Sequence, residues 1–363
     1  MRVERIAIHR LLNAPGLVGF VVTSRHRTMV VVALAMITWM SRPSRIALWI
    51  VVLTVVLSAE GPQRATGDNG SAASSRRYTA PRTAWGDPDL QGIWPSDQMV
   101  DVPFERPASF GTRAELTDAE FAEAQARAQT DVSPATAPPP HWLERGQASR
   151  QASLVVDPPD GRLPAMTADG ARRAERWRTT SADTYVYAGP EDLTPYDRCI
   201  SRGVLGSVMP NIYNTGTQIL QTPGLVVIRY EMIHETRIVP LDGGLPHLSP
   251  AIRSYMGDAR GHWEGDTLVI ETTNFNGKTG SYGRNGNGNP TSGALSLVER
   301  FTRVSANTLQ YDVTVTDPQT WVRPWTVRFP MVLADNYEMF EYGCHEGNYA
   351  MSNSLKGARA RDK

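Results

Sequence analysis

The stretch "LSLVERFTRVSANTLQYDVTVTD", residues 295–317, decides the fold. Its second half alternates: Leu309, Tyr311, Val313 and Val315 fall on one side, Gln310, Asp312 and Thr314 on the other. A period of two marks a strand with one face in a core and the other toward water. Ser305-Ala306-Asn307 interrupts the pattern as a turn, so the stretch reads as a hairpin. The same grammar recurs upstream in "GHWEGDTLVIETTNF", residues 261–275, which turns at Glu264-Gly265-Asp266 and again launches a strand with Thr-Leu. Residues 217–241, "TQILQTPGLVVIRYEMIHETRIVPL", read as two strands about a Thr-Pro-Gly turn, the second long and bent. "WTVRFPMVL" (325–333) and "YEMFEYGC" (337–344) supply two more. The expectation is a mainly β protein. Seven or eight antiparallel strands over 206–350 form a lipocalin-like barrel, whose closure removes the exposed edges.

Residues 84–205 read as an extended arm wrapped on that barrel. "WGDPDLQGIW", 85–94, sets turn residues between aromatic anchors. Two short helices follow. One spans about 117–129, where Thr117 and Glu120 make a capping box, and "SPATAPPP" (133–140) ends the segment. The other spans about 169–178 with Trp177 as its apolar anchor. Residues 351–363 read as a C-terminal tail.

The N-terminal segment reads as targeting rather than fold. "IALWIVVLTVVLSA" (46–59) is an apolar run behind the charged flank "SRPSR", the pattern of an export leader over 1–59. It is short for a bilayer span. A second apolar run, 29–39, suggests that translation starts at Met40, and a two-helix membrane anchor is the competing reading. Gly-, Ser- and Ala-rich residues 60–83 form a flexible linker. The compartment expected is therefore periplasmic or extracellular, with no stable span in the mature chain.

Lys plus Arg (37) balances Asp plus Glu (37), and no basic run with interleaved aromatics appears in the mature part, which argues against nucleic acid as a partner. Cys199 and Cys344 are the chain's two cysteines. Export favours a disulfide between them, with free buried thiols as the alternative.

Several of these motifs together resemble a large set of uncharacterised secreted bacterial proteins: "WGDPDLQGIW", "DRCISRG" (197–203), "EMIHETRIVPLDG" (231–243), "GHWEGDTL" and "CHEGNY" (344–349). The hairpins of the C-terminal half, with Trp263 before a Gly-Asp turn, resemble lipocalin-like barrels more loosely. The resemblance implies a compartment and assigns no residue a role.

For chemistry, a continuous strand over 226–238 puts Tyr230, Met232 and His234 on one face, the barrel interior, and sends Glu231, Glu235 and Arg237 to the other. His234 and Tyr230 then become proton carriers or orienting groups in an apolar cavity. A satisfied core histidine is the bland alternative. If Cys199 bonds Cys344, Asp197, Arg198 and Arg202 are brought to the barrel mouth, where Tyr342, His345 and Glu346 end the last strand, as further candidates. Met232, Trp263, Tyr342 and Arg198 are expected to touch ligand. "HETRI" lacks the second histidine of the zinc-peptidase pattern, so no cofactor is expected. A divalent metal held by His345, Glu346, His247 and His262 is the competing case. No GxSxG elbow and no Walker-type ending occur, and "GKTGSYGRNGNGNPTSG" (277–293) reads as a loop or lid. Three functions follow. One is an exported enzyme doing cofactor-independent acid–base chemistry (isomerase, lyase, cyclase or hydrolase) on a small, largely apolar molecule. The others are a carrier for such a molecule and an envelope interaction protein that docks through its tryptophan-rich arm.

Overall fold

The computed structural model describes residues 9–10, 18–24, 27–33, 78–99, 102–130, 148–180, 187–211, 213–241, 245–280 and 290–361. The chain divides into two compact units, Met1–Ala72 and Ala73–Lys363. In the first, strands β1 (His9–Arg10), β2 (Val18–Ser24) and β3 (Arg27–Ala33) form an antiparallel sheet. The apolar run at 46–59, Met40, linker residues 60–77 and most of the expected lid (281–289) lie outside the described residues. Among the described residues no helix is long and apolar enough to cross a membrane.

The second unit is mainly β and holds two antiparallel sheets. Strands β4 (Gly92–Ile93), β6 (Thr217–Thr222), β7 (Leu225–Tyr230) and β8 (Thr236–Pro240) make the smaller one, in that order. The larger contains β9 (Asp258–Glu264), β10 (Thr267–Thr273), β11 (Ser296–Ser305), β12 (Thr308–Thr316) and β13 (Trp325–Val332) as a meander. Strand β5 (Val155–Asp157) is added at the β13 edge. The deciding hairpin is β11–β12, with Phe301 opposite Tyr311. Leu309, Tyr311, Val313 and Val315 are all fully buried, as their alternation requires. Each such burial stabilises by about 1.5–3 kcal/mol. The β6–β7 turn at Pro223-Gly224 and the β9–β10 turn at Gly265 also stand where the sequence puts them. At both turns glycine adopts positive φ, +77° at Gly224 and +63° at Gly265.

Among the described residues the sheets do not close into a lipocalin-like barrel. Their inner faces instead share one core, in which Ile219, Ile228 and Val239 meet Leu268, Phe301 and Phe329. No strand ladder joins β8 to β9 among the described residues. The arm bridges the other side: Trp94 N–H donates to Thr217 O (2.8 Å), while Val332 and Ala334 N–H donate to Pro95 O (3.2 Å) and Ile93 O (3.1 Å). Trp94 is fully buried and Trp85 is 38% exposed, so the arm's main anchor faces the core.

Among the described residues this unit holds four α-helices, not two. Helix α1 (Asp118–Thr130) begins at the expected box: Thr117 N–H donates to Glu120 Oε2 (2.8 Å) and Glu120 N–H to Thr117 Oγ1 (3.3 Å). Helix α2 (Ala168–Thr180) buries Ala174, whereas Trp177 is half-buried. Helix α3 (Gly203–Val208) buries five of its six residues and so shows no amphipathic period. Helix α4 (Ala350–Arg361) occupies the segment read as a tail.

Candidate functional site

The bent strand of the sequence reading is a hairpin. Strand β7 ends at Tyr230, a 3-10 turn covers Met232–His234, and β8 begins at Thr236. Ile233 (φ +61°) and His234 (φ +48°) take left-handed backbone to make the reversal. Ile228 pairs with Arg237, so even-numbered residues of β7 and odd-numbered residues of β8 share the inner face. This flips the assignments of Glu231, His234 and Arg237, while Met232 stays buried. His234 is exposed, and its Nδ1 lies 3.0 Å from Tyr342 O. Glu231 and Arg237, expected in water, are 1% and 4% exposed.

Tyr230 stays inside, but in a filled core rather than an open cavity. Its hydroxyl accepts from Arg237 Nη1 (3.0 Å), and the same guanidinium grips Glu299 through Nη1–Oε1 (3.0 Å) and Nη2–Oε2 (2.6 Å). Tyr311 O–H donates to Glu299 Oε1 (3.0 Å) and Arg237 Nη2 to Thr272 Oγ1 (2.9 Å). Burial is the largest influence on Arg237 and lowers its pKa, yet the charge and hydrogen bonds of Glu299 together with those of Tyr230 outweigh it and hold the guanidinium above its ordinary value. Desolvation pushes Tyr230 up to about 12. The network clamps β8 of one sheet to β11 of the other.

Open space lies elsewhere. A cavity of about 840 Å3 forms where the turn carrying Tyr196 and Asp197, the segment at Tyr213 and Asn214, Glu231 and residues 336–344 converge. The first wall is shaped locally. Asp197 N–H donates to Thr194 Oγ1 (3.1 Å), and Asp197 Oδ2 accepts from Thr194 Oγ1 (2.7 Å). Cys199, at φ +56°, then forms the expected disulfide to Cys344, which fastens this turn to the last wall. Residues 337–344 carry no strand, contrary to the alternation read there, because their backbone turns to line the cavity. Phe340 N–H, for example, donates to Glu231 Oε1 (3.1 Å).

Two chemical groups line this space. In the first, the Tyr196 and Tyr342 hydroxyls are 2.9 Å apart, and Tyr213 hydrogen-bonds to both. Desolvation pushes Tyr196 and Tyr213 up to about 12 and raises Tyr342 as well, so all three stay protonated at neutral pH. The Arg202 guanidinium sits 4.9 Å from the Tyr196 ring centroid. Burial lowers the Arg202 pKa. Arg202 N–H donates to Glu235 Oε2 (3.1 Å), and Ser201 and Ser207 hydroxyls also donate to Glu235, at 2.6 and 3.2 Å. In the second, Glu231 accepts from Tyr337 O–H (2.6 Å), Asn214 Nδ2 (2.9 Å) and Phe340 N–H. Gly216 permits this approach, since a Cβ there would stand 2.8 Å from Glu231 Oε2 and 2.8 Å from Tyr337 Cε1.

Of the residues singled out in the sequence, Asp197, Tyr342 and Cys344 line the cavity. Met232 is buried beside it, its sulfur 4.0 Å from Tyr196 O–H. Arg198 is half-buried outside the lining, and His345 and Glu346 are exposed on the turn after Cys344. Trp263 is partly buried against the core on β9. Tyr196, Tyr213, Glu231 and Tyr337 were missed. The signal for the last wall was the density of aromatic and acidic residues in "YEMFEYGC", hidden by reading it as a strand. Among the described residues, no group of three or more His, Cys, Asp or Glu is placed to hold a metal ion.

Together these features define the second unit as a two-sheet antiparallel β structure with a tyrosine–carboxylate cavity beside its disulfide. The chain matches no family model, no curated protein and no solved structure compared with it.

Proposed function

We propose that the protein is an exported small-molecule enzyme that performs cofactor-independent acid–base chemistry, of the isomerase or lyase type, in this cavity. The carrying observation is the pair of protonated hydroxyls, Tyr196 and Tyr342, 2.9 Å apart in a space shared with the Glu231 carboxylate. Hydroxyls held protonated donate to an oxygen on which charge develops, and a carboxylate in the same space accepts a proton. The volume falls in the range of small-ligand sites, roughly 300–1,000 Å3. The Cys199–Cys344 bond supports an oxidising compartment and hence export. A lipocalin-like closed barrel is not needed, because the cavity lies beside the shared core.

The test incubates wild type and Tyr342→Phe with a small-molecule extract of the source cells and follows both by mass spectrometry. The wild type should convert at least one compound, and the variant should do so about 100-fold more slowly while folding equally well. Retention of a compound without conversion by the wild type supports the carrier reading instead. Equal turnover by both proteins removes the tyrosines from the chemistry.

A further inference from the structure

We infer that the cavity selects a small organic cation, an ammonium compound with an apolar body, as its ligand. The inference rests on the reading of this cavity as the ligand site and adds the charge of what enters it. The chain as a whole carries no net charge, yet the wall is one-sided. Asp197, Glu231, Glu338 and Glu341 line it, and none of its lining residues is Lys, Arg or His. Arg202, 4.9 Å from the Tyr196 ring centroid, is 4% exposed and is not part of the lining.

Carboxylates alone would mark only a hydrated patch. Here they are interleaved with aromatic side chains: Tyr337, Phe340 and Tyr342 lie in the same segment as Glu338 and Glu341, and Tyr196 and Tyr213 join Tyr342 in the lining. A ring face attracts a cation by about 0.5–2 kcal/mol, most when water is excluded. Glu231 is 1% exposed and fixed by three donors, so its field reaches the cavity with little solvent screening. A free anion would meet four carboxylates with no lining Lys, Arg or His to offset them. The largely apolar molecule expected from the sequence thus gains a charged end. Phe340, 66% exposed at the rim, offers its apolar body a surface.

The experiment titrates the full chain calorimetrically with three probes of similar size: benzyltrimethylammonium, benzyl alcohol and phenylacetate. The cation should bind at least about tenfold tighter than the alcohol, a difference of about 1.4 kcal/mol, and phenylacetate should not bind. The double variant Glu338→Gln/Glu341→Gln, altered at two exposed rim positions, should lower the cation-to-alcohol affinity ratio about fivefold. Equal binding of cation and alcohol, or tighter binding of phenylacetate, overturns the cation assignment. The cavity reading survives that result if Tyr342→Phe weakens whichever probe binds. Failure of all three probes at millimolar concentration, with the Tyr196, Tyr213 and Tyr342 ring resonances unmoved, overturns the assignment and the cavity reading together.

Discussion

Replacing Glu299 by glutamine should cost at least about a fifth of the protein's stability. The side chains of Arg237 and Glu299 are 3% and 0% exposed, with a two-point contact of 2.6 and 3.0 Å. The amide would keep the shape but leave a guanidinium without a counter-charge between the two sheets. Breaking one partner of such a pair costs about 3–5 kcal/mol, against a total of about 5–15 kcal/mol for a typical domain. Urea unfolding of the full chain, followed by tryptophan fluorescence and extrapolated to water, reads this directly. The pair also predicts non-additivity. Arg237→Met with Glu299→Leu should cost at least about 2 kcal/mol less than the two single variants summed, because no charge is then left buried alone. A loss below about 1 kcal/mol for Glu299→Gln, or simple additivity, would refute the clamp.

Glu235 supplies a pH test with a definite sign. Burial raises its carboxyl above 4.5, so the folded state holds that proton more tightly than the unfolded chain does. Its contribution is complete below 4.5 and is lost as pH rises through the raised folded value. Glu235→Gln should therefore gain stability relative to wild type from acid toward neutral pH, as read by melting temperature; a flat or opposite trend contradicts the assignment. Gly216→Ala should weaken ligand binding by driving Tyr337 from Glu231, because its Cβ falls 2.8 Å from both. Unchanged affinity for the tightest probe counts against that wall as part of the site. Opening the Cys199–Cys344 bond frees a loop of 145 residues. A loop-closure argument puts the loss at about 5 kcal/mol, measurable by unfolding with and without reductant.

How much of this was legible in the sequence depended on whether a segment's own period decided its position. The β11–β12 hairpin and the Thr117–Glu120 box were readable because each is fixed by neighbours in the chain. The strand phase beyond Tyr230 was not. A reversal through left-handed Ile233 and His234, with no glycine to announce it, inverts the faces expected from His234 onward. That single turn moved His234 out to solvent and Arg237 into the core. Glu299 lies on the inward phase of β11 between Leu297 and Phe301, and its burial makes sense only with Arg237 across the sheets. The candidate site was half visible. The expected disulfide is present, and Asp197 and Tyr342 both line the cavity next to it, but the tyrosine cluster is assembled from segments about 150 residues apart, which local pattern cannot pair. Barrel closure failed for a related reason: the arm supplies only two-residue β4 at that edge, and no ladder joins β8 to β9 among the described residues.

The most direct measurement is a crystal structure of the protein purified from its own source with bound small molecules retained. The account predicts density for a compound in the cavity, within hydrogen-bond reach of Tyr196 or Tyr342 and facing the Glu231 side. Ligand density between the sheets near Tyr230, or at His234 with the cavity empty, would contradict it.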